Sequence, residues 1–494
     1  MSKCPFMRAP SITWRLVAVT AVAAVTATGG VLSGASATGQ GAAPKPKVPA
    51  PVSDRACDKG SLPETVQGEA PAADYKSGRA AKGYTCNARE IGHFGTTGGY
   101  RVERYVDAAG HECAFYDSTL LFPTSAADEG TETTGTYVMD MSDPSHPVHT
   151  DTLRTPAFQT PHESVRLNQK RGLLVADMGY PTANPGFVDV YDVSKDCRHP
   201  VLDSSTPMGV LGHEGGFAPD GKTFYVASLY AHTLAAVDLT NPKAPVLLWA
   251  SRDYSPHGVS ISNDGNRLYM AEAAFDDNNG FSGLTILDVS QIQKRVSLPQ
   301  VPLVSRLTWS NVSTPQNATP FVSHGHHWLL ETDEFGSDDA IGGARIINID
   351  SEKQPYVASN LRLAVNQPDA QGPKLESDPG NDQPFQGYQA HYCSLPSRVD
   401  PDIVACSFIM SGLRVFDVRD PLHPKEIAYF NKPLMPGDNT VPTKAGAFAM
   451  SAPAYDEKTH DIWYADGNTG FYVVRLTKGS GVGKFAKVIQ TPGN

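Results

Sequence analysis

Residues 255–290 read SPHGVSISNDGNRLYMAEAAFDDNNGFSGLTILDVS. Apolar side chains fall at every second position in HGVSIS, in RLYMAEA and in GLTILDVS, the pattern of strands with two unlike faces. Between the first two runs, Asn263-Asp264-Gly265-Asn266 supplies residues that accept the positive φ of a tight hairpin turn. The stretch predicts three consecutive antiparallel strands, the first beginning at His257.

The third-strand phrase recurs along the chain. It stands as TYVMDMSDPSHP from Thr136, VDVYDVSKDCRHP from Val188, LAAVDLTNPKAP from Leu234 and LTILDVS from Leu284. It returns as ARIINIDSEKQP from Ala344, LRVFDVRDPLHP from Leu413 and a truncated FYVVRLT from Phe471. An Asp before Ser or Thr, with Pro a few residues on, ends the strand and turns the chain. Another short strand follows the Pro, as in PVLLWAS and PKEIAYF. Units of four strands in about 40 to 65 residues are the signature of propeller blades. The prediction is an all-β, seven-bladed β-propeller of four-stranded antiparallel blades. The seventh unit lacks a fourth strand before the chain runs out in KGSGVGKFAKVIQTPGN. Arg89–Phe94 (REIGHF), ahead of the first unit, is predicted to supply it and close the ring, which removes exposed sheet edges.

On the recurring aliphatic-aliphatic-x-Asp-Val/Leu-Ser/Thr phrase and the opening REIGHF, the chain from Ala88 to Lys478 resembles the LVIVD-repeat family of secreted bacterial seven-bladed propellers. The resemblance implies the fold and implies little about activity.

Outside the repeats, Lys3, Arg8 and Arg15 precede an apolar run from Leu16 to Leu32 and the small residues Ala35-Ser36-Ala37. Residues 1–37 therefore read as a signal peptide, with an uncleaved membrane anchor as the alternative. Residues 38–56 are a Pro/Ala-rich flexible linker, 57–87 an irregular strap, 88–478 the propeller and 479–494 a tail. A Pro/Gly/Asp-rich insertion over 367–385 reads as a long loop across one face. Losing the signal removes three cations and no acid, taking the formal charge from −11 to −14. Such a balance argues against nucleic acid as a partner. The expected place is outside the cell or on its surface, with no membrane span after signal cleavage and an unknown extracellular ligand or protein as partner.

Cleavage also removes Cys4, leaving Cys57, Cys86, Cys113, Cys197, Cys393 and Cys406. An even number in an oxidising compartment predicts three disulfides. Cys393 and Cys406 fall on adjacent antiparallel strands of the sixth blade and are expected to pair. The other four allow three pairings, which stay open.

Aligning the units on their first strands gives GHEC, PHES, GHEG, PHGV, PQNA and AHYC. One position then holds His111, His162, His213, His257, Gln316 and His391, with Glu112, Glu163 and Glu214 following three of them. Fifteen residues later come Asp177, Ser228, Glu272 and Glu331, and Asp466 matches them in the seventh unit. First strands start, and second strands end, on the same face of a propeller. The alignment thus predicts imidazoles and carboxylates around one mouth of the channel. That donor set suits a divalent transition metal such as zinc, copper, iron or manganese. His111, His162, His213, His257 and His391 are the expected metal ligands. Glu112, Glu163, Glu214, Asp177, Glu272, Gln316 and Glu331 are expected around them, as ligands or as groups that orient the imidazoles. The competing reading has each His hydrogen-bonded inside its own blade.

His324-Gly325-His326-His327 falls in the turn of the fifth unit, on the other face, and reads as a solvated turn. The acidic loops at Asp276 (DDNNG) and Asp333 (DEFGSDD) lack EF-hand spacing. No Gly-x-Ser-x-Gly, phosphate loop or HExxH occurs, so no residue is assigned a catalytic role. Two functions remain: a binding scaffold with a candidate His/carboxylate metal site, and a metal-dependent lyase or oxidoreductase built on the same ring.

Overall fold

Alternation along each strand decides the packing. In the second blade Leu173 and Val175 point to one neighbouring blade, while Leu174 and Ala176 point to the other. Repeated around the ring, this divides the core into apolar clusters that each join two consecutive blades, including one between the seventh and the first. The computed structural model describes residues 48–482, except 119–134, 180–185, 211, 275–279, 336–341, 371, 382–386 and 438–444. The signal peptide, part of the linker, most of the tail and most of the acidic loop at Asp276 lie outside the described residues, as does the end of the loop at Asp333.

Seven antiparallel sheets stand in sequence order around an axis. Their inner strands are Val102–Val106, Arg166–Asn168, Glu214–Phe217, Pro256–Ile261, Thr314–Ser323, Ala390–Ser394 and Ala454–Asp456. The three strands read from residues 255–290 are Pro256–Ile261, Arg267–Glu272 and Gly283–Asp288, paired in that order. Gly265 sits in their turn at φ +76°. Ala88–Phe94 pairs with Gly470–Leu476 and completes the seventh blade, as the opening REIGHF predicts.

One strand exceeds the prediction. Tyr84–Cys86 pairs with the outer strand of the sixth blade and gives that sheet five strands. Its neighbours in the strap bury Ala70, Tyr75 and Ala80 beside Tyr84, Cys86 and Tyr429. Glu64 reaches Arg414 at 2.7 Å. The insertion contains one helical turn, Pro373–Glu376, and Asp378 accepts hydrogen bonds from the Ala72 amide and the Tyr388 hydroxyl. Insertion and strap thus brace each other.

Cys393 and Cys406 face each other in register and are bonded. The pairings left open are Cys57–Cys86, which ties the strap to the extra strand, and Cys113–Cys197, which joins the first two blades. No helix among the described residues is long and apolar enough to cross a membrane.

Candidate metal centre at one mouth of the channel

The inner strands carry an irregularity at the position of the aligned His. In the fourth, fifth and sixth blades the register slips by one residue, and the extra residue is His257, Gln316 or His391. A bulge of this kind re-aims its side chain, here toward the axis. His162 arrives by another route, with a left-handed backbone at φ +50°. The result is a circle of rings edge to face: His162 to His213 at 4.3 Å between centroids, and His213 to His257 at 4.5 Å.

Glu163 lies inside this circle and is addressed from across the axis. Its Oε1 accepts from Gln316 Nε2 at 2.8 Å and meets His391 Nε2 at 3.2 Å. Its Oε2 accepts from the Tyr392 hydroxyl at 2.7 Å and lies 3.6 Å from His213 Nε2 and 3.7 Å from His257 Nδ1. Glu334 closes the other side, 3.3 Å from His257 Nε2 and 3.0 Å from His391 Nε2. His391 donates its Nδ1 proton to the Met450 carbonyl at 2.5 Å, which turns Nε2 inward. The Nε2 atoms of His213 and His257 are 3.3 Å apart. The histidines therefore do not serve their own blades; their partners sit on other blades.

Burial sets the charge states. It would raise Glu163, but His257, His213 and His391 outweigh it and hold that carboxyl well below its usual range. Burial would lower His391, and the hydrogen bonds to Glu163 and Glu334 push it up to about 9 instead. His257 is raised by the same two carboxylates against its burial. His162 goes the other way, pushed down to about 4 by burial and the nearby imidazoles. Burial, then His162 and His257, likewise push His213 well below its usual range. The Nδ1 atoms of His162, His213 and His257 are buried with no hydrogen-bond partner.

A layer deeper in the channel, Glu214 takes Arg101 and Arg166 together and accepts from Asn317 Nδ2 at 2.8 Å. Gly258 is required here by close approach. A Cβ on it would sit 1.5 Å from Glu214 Oε2 and 2.3 Å from the Gln316 carbonyl. Below this layer the channel opens into a cavity of about 120 Å³ lined by Arg101, Glu103, Arg166, Asn317, Thr319 and Ser394.

Several predicted members are elsewhere. The first blade begins at Val102, one strand earlier than the alignment on GHEC assumes, so His111 and Glu112 fall at its inner turn, on the opposite face. His111 bonds Asp107 at 2.8 Å, and Glu112 takes Arg104 at 2.6 Å. Tyr100 holds the corresponding place in the ring, 4.4 Å from His162 between centroids. Glu272 turns back into its own blade, accepting from Thr285 Oγ1 at 2.6 Å. Glu331 pairs with Arg345, which also holds Asp333 at 2.9 Å. Asp177 is buried against Gly212, and burial, then Glu214, raises it well above its usual value. Asp466 caps a turn, accepting from the Phe448, Asn468 and Thr469 amides. In the seventh blade the inner strand starts at Ala454, later than the Ala447-Phe448 expected from sequence.

Glu334 is the member that fixed spacing misses. The fifth blade's hairpin is longer, pairing Thr314 with Glu334 and Ser323 with His326, so fifteen residues from Gln316 stops at Glu331. The signal in the sequence is the turn at His324-Gly325, which stands eight residues past Gln316 where Asn263 stands six past His257. His324 and His326 in that turn bond the Arg419 carbonyl and Asp350 on the opposite face, as predicted for a solvated turn.

No family model and no curated protein matches the chain. Its fold is similar to the periplasmic gluconolactonase of Pseudomonas aeruginosa, at 13% identity over 69% of this chain and 92% of that one, with a TM-score of 0.44. It is also similar to a candidate 6-phosphogluconolactonase of Bacteroides uniformis, at 11% identity over 74% of this chain and 96% of that one, TM-score 0.46. A third is a functionally unknown protein of Desulfotomaculum acetoxidans, at 10% identity over 75% and 88%, TM-score 0.43. Likenesses this distant carry nothing about what this chain binds.

Proposed function

We propose that this chain is an exported, LVIVD-repeat-like propeller that holds a divalent transition metal in its His/carboxylate ring and presents the site to an extracellular ligand or partner. The observation that supports it is the meeting of His213, His257 and His391 with Glu163 and Glu334, none more than 5% exposed. Burying so many titratable groups in one place is costly unless something neutralises and binds them. A cation does both, and imidazole with carboxylate is the donor set such metals take. Three disulfides support an oxidising compartment. The acidic net charge speaks for a partner other than nucleic acid.

A metal-dependent enzyme, a lyase or an oxidoreductase, is the second reading. It is favoured by His162, which is only half-buried and so leaves the ring an open side. A carboxylate beside a bound metal can also act as general base.

Elemental analysis of the protein purified from its native secretion tests the first reading. Stoichiometric transition metal is expected, and a His213→Ala/His257→Ala double variant loses it while its circular dichroism is unchanged. A metal-free protein that also takes up no added zinc, copper or manganese contradicts it. The second reading then needs turnover that disappears with the metal.

A further inference from the structure

Two groups of donors in the ring could each hold an ion, and they share one member. His162, Glu163 and His213 offer ligand atoms within 4.8 Å of one another, and so do Glu163, His257 and Glu334. We propose that the ring is a two-cation centre bridged by the Glu163 carboxylate, one ion with His162 and His213 and the other with His257, Glu334 and His391. This rests on the metal-binding reading above and extends it.

Three observations carry the assignment. First, Glu163 sits between the two groups, with Oε2 turned to His213 and to His257 and Oε1 to His391. Second, it is held there from outside by Tyr392 on one oxygen and Gln316 on the other, 2.7 and 2.8 Å away. Such outer contacts fix a carboxylate's orientation and are the usual support of a ligand. A bridging role needs that rigidity, because both oxygens must keep their aim. Third, each group keeps a buried Nδ1 without a hydrogen bond, on His162 and His213 in one and on His257 in the other. The two groups share Glu163 and no imidazole.

Carboxylate-bridged ions lie roughly 3.5 to 4 Å apart, close enough to act on one small ligand together. The ligand class expected is a small oxygen donor spanning both ions. It would enter beside half-buried His162. Tyr100, whose hydroxyl is buried and unpartnered next to His162, is placed to hydrogen-bond it.

The test uses the mature protein, stripped with chelator, dialysed against manganese(II) alone and read by metal analysis and electron paramagnetic resonance. Two ions per chain with an exchange-coupled spectrum are expected. Glu334→Gln should leave one ion with an isolated six-line spectrum, and His162→Asn should leave one ion in the other group if the first variant does not fold. One ion per chain in the wild type overturns the bridged pair and leaves the single-metal reading standing. None overturns both. Two ions without coupling, or coupling that survives in Glu334→Gln, also overturn the bridge, because the second ion then lies elsewhere. His111→Asn, at the separate Asp107/His111/Asp196 group, should change neither number.

Discussion

Glu103 shows how the channel wall governs a single residue. It is half-buried beside the cavity, and burial pushes its carboxyl up to about 8 against the pull of Arg101. An unfolded glutamate titrates at 4.5. Between those values the folded chain keeps a proton that the unfolded chain has lost. Stability attached to this group is therefore full below the lower value and falls as pH rises through the upper one. Glu103→Gln removes that loss. The melting temperature of the variant minus that of the wild type should rise between about pH 5 and about pH 9. A constant difference across that range would show that Glu103 is ionised throughout. Residue identity was partly legible at this scale. The chain's His-Glu and Pro-His pairs announce themselves, and Glu163, His213, His257 and His391 do converge. His111 deceived because Gly-His-Glu is local text, while membership of the ring depends on which strand it precedes.

The element scale is where the blades are tied together. The Cys393–Cys406 bond joins adjacent strands 13 residues apart, whereas Cys113–Cys197 spans 84 residues and two blades. Loop-closure entropy makes the first worth roughly 3 kcal/mol and the second roughly 4.5 kcal/mol. Denaturant unfolding of the two Cys-to-Ser pairs should preserve that order. The reverse order would mean that the second blade keeps residual structure with the first when unfolded. Strands were the most readable elements, because Asp-Ser/Thr-x-Pro punctuation acts within a few residues. The phrase from Leu284 ends at Asp288, where its Oδ1 accepts the Ser290 amide at 2.9 Å. Hairpin length was not readable in the same way. The fifth blade runs to Ser323 before turning, which carries Glu334 to the mouth and leaves Glu331 below it. The fifth strand of the sixth blade was hidden too, since YTC is short and its stability comes from Tyr429 and the Cys57–Cys86 bond.

For the whole molecule, closure is the physical event on which convergence depends. Glu163 meets His391 only because the second and sixth blades face each other across a finished ring. The last piece of that ring is Ala88–Phe94. A chain beginning at Gly95 would leave Gly470–Leu476 as an open sheet edge and also lose the strap. Unpaired edges recruit other chains. Light scattering should find that truncated protein in large assemblies under conditions where the full mature chain is not, with a lower melting temperature. Equal mass and equal melting temperature would mean that the ring closes without its N-terminal strand.

The central claim is that the folded ring brings imidazoles and carboxylates from five blades to a metal. An anomalous difference map, from a crystal of the mature protein measured at the absorption edge of its native metal, tests that claim directly. The account predicts density among Glu163, His213, His257, Glu334 and His391, within bonding distance of their nitrogens and oxygens. A map with no peak there, from protein that elemental analysis shows to carry metal, would contradict it.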